Sequence, residues 1–226
     1  MADQTPTQPP QPVSHPLFAR FYARVLARNE PAEMRDHRVA LLAGLRGRVV
    51  EVGAGSGANF AHYPTTVDEV VAVEPEPYLR DEARAAAASA PVPVTVVEGV
   101  ADALPLEDGS CDAAVACLVL CSVPDQGQAL AEMRRVLRRP DGELRFFEHV
   151  LAKKPRTARL QRVVDRLFWP RAFGGCHTAR DTGAAIAAAG FEIVEQRRVK
   201  APALTPPPVS VQLAGRARLP HDPSAV

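Results

Sequence analysis

Short apolar runs alternate with stretches of helical periodicity along most of this chain. Runs at about 48–52, Glu69–Val73, Val94–Val97, Asp112–Val119 and Glu143–Glu148 read as strands. Between them, Pro77–Ala88 reads as a helix, and 126–138 places Leu130, Met133, Val136 and Leu137 at helical spacing. Strands alternating with helices predict an α/β, doubly wound, mostly parallel sheet with helices on both faces. Upstream, His15–Asn29 predicts a short helix with Phe18, Phe21, Tyr22 and Val25 on one side, and Pro31 opens a second helix reaching about Leu45. Downstream, Arg156–Trp169 is amphipathic: Leu160, Val163, Val164, Leu167 and Phe168 share one face, and Arg159, Arg162 and Arg166 the other. Gly174–His177 reads as a loop. Thr178 is placed to cap the next helix, with Asp181 at the capping-box position and Gly190 at the end. Phe191–Arg197 and Val209–Arg218 then predict a last pair of strands, joined by the Pro-rich link Pro202–Pro208.

The first run leads directly into Glu51-Val52-Gly53-Ala54-Gly55-Ser56-Gly57-Ala58-Asn59-Phe60. This predicts a buried strand, a glycine-rich turn and the start of a helix. Alternate glycines let backbone approach a ligand where a Cβ would collide. The spacing also satisfies the dinucleotide fingerprint, so it does not decide the ligand alone. Glu51, two residues before the first glycine, suits a cationic ligand and would repel a pyrophosphate. Glu74 ends the second strand, where a carboxylate can accept both hydroxyls of a ribose.

Composition narrows the class. The chain has 226 residues, 46% of them hydrophobic, and a formal net charge of +1. That length fits one domain, and the balanced charge gives no argument for nucleic acid. Cysteines at 111, 117, 121 and 176 form no CxxC pair, so neither a disulfide framework nor a metal set is read from spacing, and a cytoplasmic setting is the simpler expectation. Residues 1–14 are rich in Pro, Gln and Thr and predict a disordered leader without the apolar core of a signal peptide. Residues 15–218 are read as the domain and 219–226 as a tail. The longest apolar run is far too short to span a membrane.

The glycine turn, Glu74 and the run Glu98-Gly99-Val100-Ala101-Asp102-Ala103-Leu104-Pro105 together resemble class I methyltransferases of type 11, which use S-adenosylmethionine. The resemblance implies a seven-stranded Rossmann-like sheet whose last strand is antiparallel. It places Glu51, Gly53, Ala54, Gly55, Gly57, Asn59, Glu74, Pro75, Ala101, Asp102 and Cys117 around that cofactor. The family's adenine-contacting acid falls at Val100 here, leaving Asp102 or the backbone of Ala101 to replace it. Further blocks, "CLVLCSVPDQ", "MRRVLRRPDGELRFFEHV", "FGGCHTARDT" and "PPPVSVQLAGRAR", resemble the microsomal alkyl-thiol methyltransferases, also called methyltransferase-like protein 7. That resemblance spans roughly residues 34–218 and implies a small thiol as methyl acceptor. The family's N-terminal membrane anchor is replaced by the Pro-rich leader.

These readings yield a set of expectations. Residues 15–45 form a helical lid and 150–178 a substrate-capping insertion. Phe18, Tyr22, Cys121, Trp169, Cys176 and His177 face the acceptor, with Phe21 and Phe168 as further aromatic walls. His149, at the end of the fifth strand, is the candidate proton acceptor. Two alternatives stay open. The acceptor atom is O or N of a natural product or phospholipid headgroup, with the basic face of Arg156–Trp169 suited to a membrane surface. More remotely, the fold serves a nicotinamide-dependent oxidoreductase.

Overall fold

Seven strands, β1 (Gly47–Val52), β2 (Val67–Val73), β3 (Val94–Val97), β4 (Ala113–Cys117), β5 (Glu143–His149), β6 (Glu192–Lys200) and β7 (Val211–Arg218), pair in one sheet ordered β3-β2-β1-β4-β5-β7-β6. The computed structural model describes residues 15–27, 30–201 and 205–220. The leader, Asn29, positions 202–204 of the Pro-rich link and positions 221–226 of the tail lie outside the described residues. β1 to β5 run parallel, and β7 is antiparallel to both β5 and β6. Strand order reverses between β1 and β4, which opens a crevice beyond their carboxyl ends.

Both faces of the sheet are covered, as the apolar runs require. Val50, Val52, Ala114, Ala116 and Phe146 pack with Leu130 and Met133 of α4 (Gln126–Val136) and Ile186 of α7 (Thr182–Ala188). Val49, Val115 and Phe147 point the other way, into a cluster with Leu41 and Leu42 of α2 (Ala32–Leu42) and Ala83 of α3 (Pro77–Ala87). The alternation is the period-two geometry of a strand, applied to residues that are apolar on both sides. Remaining helices are α1 (Pro16–Phe21), continued by a π-helical turn over Tyr22–Ala27, α5 (Pro155–Leu167) and the short α6 (Trp169–Ala172).

Several expectations change. The glycine turn is not followed by a helix but by a three-residue 3-10 turn, Phe60–His62. Tyr63 is extended (φ −64, ψ 131) because it precedes Pro64, which disfavours the helical region. No helix N-terminus therefore points at the turn, which removes the usual pyrophosphate cradle. β4 stops at Cys117, two residues before its expected end. Leu118 has φ 59, and the next three amides, of Val119, Leu120 and Cys121, donate to the buried Glu148 carboxylate. A single side chain thus terminates the strand and shapes the loop after it.

α7 is capped by Asp181, whose carboxylate accepts from the Ala184 amide at 3.2 Å, and not by Thr178. Thr178 instead donates its hydroxyl and amide to Asp165 of α5. α5 turns a different face inward from the one its apolar residues suggested. Ala158, Gln161 and Val164 are buried, whereas Leu160, Val163 and Leu167 are 42%, 46% and 64% exposed. Gln161 takes the inner position because its amide serves backbone groups: it accepts from Ala152 N–H, and its two Nε2 hydrogens are shared among the carbonyls of Val150, Thr178 and Pro208. Leu219, expected in the tail, is buried and donates to Gly142.

Candidate active site

A cavity of about 1000 Å³ lies beyond the carboxyl ends of β1, β2, β4 and β5, with α1 and its π-helical continuation across it. The start of α1 is tied down by the His15 amide, which donates to Glu76 Oε2 at 2.9 Å. Phe18 meets Phe173 edge to face at 6.4 Å, and a Cβ on Gly174 would fall 2.5 Å from the Phe18 ring. The expected lid and the expected insertion therefore touch across the cavity.

In one half of the cavity two buried carboxylates, of Glu51 and Glu74, are hydrogen-bonded on both oxygens. Gly53 sits at φ +66, and a Cβ there would lie 2.3 Å from the Val119 side chain, so neither conformation nor space admits another residue. The Gly55 amide donates to Glu74 Oε2 at 2.7 Å and the Glu76 amide to Oε1 at 2.9 Å. Glu74 is 5% exposed, and burial raises its pKa. Each of its oxygens keeps lone-pair capacity for a further donor. Glu51 is buried with both oxygens engaged by side chains, from Asn59 Nδ2 at 2.9 Å and the Tyr63 hydroxyl at 2.7 Å. Burial pushes its carboxyl up to about 7. It bonds these side chains rather than the loop amides, the other role a carboxylate at this position could fill.

Arg38 of α2 closes this network and went unread in the sequence. It is buried, pairs with Glu30 at 2.8 Å, and donates to Asn59 Oδ1 at 2.9 Å and Cys117 Sγ at 3.2 Å. Its signal was present. Met34, Arg38, Leu41 and Leu42 are the buried residues of α2, so an arginine occupies a core position of the helical pattern. Burial pushes the Cys117 thiol up to about 12, which leaves it neutral.

The other half is apolar and sulfur-lined. Cys121, Trp169, Cys176 and Val209 form one buried cluster with Phe173, whose ring stacks on Trp169 at 4.1 Å. His149 Nδ1 lies 3.7 Å from Cys121 Sγ and 3.5 Å from Cys176 Sγ. The Cys121 thiol is raised by its hydrogen bond with Cys176 and by burial. Gln212 faces His149 across the β5–β7 ladder and also lines the cavity. Gln212 Oε1 and Trp169 Nε1 are buried with no hydrogen-bond partner among the described residues.

Most of the expected residues converge here. Glu51, Gly53, Ala54, Gly55, Asn59, Glu74, Pro75, Ala101, Asp102, Cys117, Phe18, Tyr22, Cys121, His149, Trp169 and Cys176 all line the cavity. Gly57 does not. Its φ of +81 serves packing, since a Cβ would strike the Phe60 ring at 2.7 Å and Ala86 at 2.9 Å. His177 also lies off the wall, half-exposed, with Nδ1 3.8 Å from Asp165. Phe168 is 48% exposed and likewise off the wall. Phe173, Val209 and Gln212 line it unforeseen. Gln212 gave no sequence signal, because only strand pairing puts it opposite His149.

The methyltransferase-domain family matches residues 50–146. Human thiol S-methyltransferase TMT1B is 34% identical over 181 residues, spanning 78% of this chain and 73% of its own. The chain belongs to that methyltransferase family. Human TMT1A is also 34% identical, over 68% of this chain and 64% of its own. Among solved structures, 1,6-didemethyltoxoflavin-N1-methyltransferase of Burkholderia thailandensis, bound to 1,6-didemethyltoxoflavin and S-adenosylhomocysteine, has a TM-score of 0.63 at 24% identity, covering 91% of this chain and 86% of that one. The protein is an S-adenosylmethionine-dependent methyltransferase with a Rossmann-like sheet. Its cavity fits the cofactor. Asp102 Oδ1 is buried with no partner among the described residues, an acceptor suited to an adenine amino group, and Glu74 keeps acceptor capacity for ribose. No helix among the described residues is long and apolar enough to cross a membrane.

Proposed function

We propose that the protein methylates the sulfur of a small thiol. The observation that carries this reading is the wall of Cys121, Trp169, Cys176, Val209 and Phe173, which is apolar and sulfur-lined, contributes no carboxylate, and faces the hydrogen-bonded half across one cavity. Similarity to proteins named thiol S-methyltransferases supports it.

S-adenosylmethionine, when bound, supplies an electrophilic methyl group on a sulfonium. Glu74 takes the ribose hydroxyls, Asp102 the adenine amino group, and the Gly53–Gly55 backbone leaves room for the amino-acid end. Glu51, tied to Asn59 and through it to Arg38, supplies the negative charge for the ammonium. The aromatic and sulfur wall holds the acceptor and excludes water. Neutralising a thiolate against a sulfonium is favoured in such surroundings, and orientation alone is worth roughly 7–11 kcal/mol. A thiol needs little help to ionise, with a pKa near 8.5 for a cysteine-like group. α1 acts as the lid and 150–178 as the cap over the acceptor.

A second reading is O- or N-methylation, favoured by His149 in the cavity wall, where it would serve as general base. Exposed Leu160, Val163 and Leu167 beside Arg159, Arg162 and Arg166 suit a peripheral contact with anionic lipid. Labelled methyl donor offered with thiols, phenols and amines of similar size tests the acceptor. Faster transfer to thiols, rising with pH as they ionise, supports the proposal. Inert thiols beside an active phenol or amine would overturn it.

A further inference from the structure

Among the described residues, Cys121, His149 and Cys176 are the one group of three metal-ligating side chains whose donor atoms all lie within 4.8 Å of one another. They reach the site from three separate elements. Cys121 lies in the loop shaped by Glu148, His149 ends β5, and Cys176 follows α6. The backbone is held at each end: the Cys121 amide donates to Glu148 Oε2, the Cys176 amide to Phe173, and the His177 amide to the Cys121 carbonyl at 2.7 Å. All three side chains line the cavity.

The donor spacing has the dimensions of a coordination polyhedron. Zinc bonds sulfur at about 2.3 Å and imidazole nitrogen at about 2.0–2.1 Å, so tetrahedral geometry requires edges of about 3.8 Å between two sulfurs and about 3.6 Å between sulfur and nitrogen. The observed edges are 3.8 Å for Cys121 Sγ to Cys176 Sγ, and 3.7 Å and 3.5 Å from His149 Nδ1 to the two sulfurs. Two thiolates and an imidazole also match the preference of a borderline-soft divalent cation, and two negative charges balance its own.

We propose that Cys121, His149 and Cys176 form a three-ligand zinc site on the acceptor wall, with its fourth position open to the cavity. Binding displaces two protons, one from each thiol, to solvent, and leaves His149 neutral with Nδ1 on the metal. The open position would take the acceptor sulfur as thiolate, with a third proton released to solvent, since a metal deprotonates a coordinating thiol outright. That catalytic use rests on the thiol-acceptor reading, whereas the metal site itself does not. A zinc-bound His149 is no longer free to act as a base.

The test uses the whole chain, reduced with a thiol-free phosphine and freed of metal, then titrated with cobalt(II) and with zinc. One cobalt per chain, with the intense thiolate-to-cobalt band and tetrahedral ligand-field bands, both displaced by zinc, is expected. Cys121→Ala, Cys176→Ala and His149→Ala should each lose these bands while Cys111→Ala keeps them. S-adenosylhomocysteine affinity reports that each variant is folded, and Cys176→Ser and His149→Gln replace any that is not. Absent bands, bands that survive loss of a ligand, or a Cys121–Cys176 disulfide that persists after reduction would overturn the site. Ethanethiol added to the cobalt-loaded protein should strengthen the thiolate band. An unchanged spectrum would overturn the open position while leaving the acceptor panel to judge thiol methylation by itself.

Discussion

The two halves of the cavity are built on different principles. On the cofactor side, the acids are held by donors already in place: Glu74 by two backbone amides, and Glu51 by Asn59 and Tyr63, with Arg38 behind them. On the acceptor side, two buried polar atoms, Trp169 Nε1 and Gln212 Oε1, have no partner among the described residues, and two thiols and an imidazole converge within 4.8 Å of one another. A preorganised half fixes one ligand in one pose. A half with unfilled donors and acceptors marks where chemistry varies within a family that shares the fold.

Arg38 offers the largest way to break the contrast. Its side chain is 6% exposed, and it is the cation of a network containing Glu30, Asn59 and, through Asn59, Glu51. Arg38→Met leaves Glu30 and Asn59 Oδ1 without their cationic partner. Removing one partner of a buried pair costs roughly 3–5 kcal/mol. Urea unfolding should show that loss, together with weakened S-adenosylhomocysteine binding. An unchanged midpoint would mean that the network is not what holds this half.

The pH dependence should come next in size and belongs to the same half. Glu51 titrates near 4.5 when unfolded and at about 7 when folded, so between those values the native state holds more protons. Its contribution is fully present below about pH 4.5 and is lost as pH rises through about 7. The size is about 3 kcal/mol, at about 1.4 kcal/mol per unit. Glu74 and Glu148 are raised too and add in the same direction. Glu51→Gln should flatten the slope of stability against pH between those limits; an unaltered slope would move the titration elsewhere. If Glu51 meets the ammonium, S-adenosylhomocysteine binding near neutral pH releases a proton. Calorimetry in buffers of different ionisation heat reads that release, and its absence in the wild type would sink the ammonium role.

Legibility in the sequence follows the same division. Gly53, Glu74 and Asp102 line the cavity from positions at or just after strand ends, so a pattern read along the chain finds them. The sheet was legible for the same reason, since each apolar run is a local fact. The acceptor half is assembled from α1, α6, the segment before β7 and β7 itself, and Gln212 or Val209 acquires meaning only after β7 inserts between β5 and β6. Errors arose where a polar group overrode local preference. Glu148 ended β4 early, Asp165 drew Thr178 away from the cap, and Gln161 turned α5 over. Gly57 matched the motif, but Phe60 is what needs it.

Glu74→Ala separates affinity from stability. It deletes the acceptor of the Gly55 and Glu76 amides together with the proposed ribose contact. Hydrogen bonds to a charged group are worth about 1.5–3 kcal/mol, so affinity for S-adenosylhomocysteine should fall by roughly 10- to 150-fold. Acceptor KM at saturating cofactor should stay put. Calorimetry on a folded variant with unchanged affinity would remove Glu74 from the cofactor site.

Trp169→Phe is the mildest change, and it tests the acceptor half alone. Phenylalanine retains an aromatic ring to pack on Phe173, now 4.1 Å from Trp169, while deleting the buried Nε1–H that has no partner among the described residues. Removing an unmatched donor relieves a desolvation cost, which offsets the packing lost with the smaller ring, so stability should change little. If that N–H instead waits for the acceptor, the variant loses one hydrogen bond when substrate is bound, about 0.5–1.5 kcal/mol. Acceptor KM would then rise about 2- to 13-fold, with cofactor affinity unaltered. The split between the two constants is the informative readout. A parallel loss of cofactor affinity would show that the halves are coupled through the wall, and an unchanged acceptor KM would leave Trp169 as an apolar surface only.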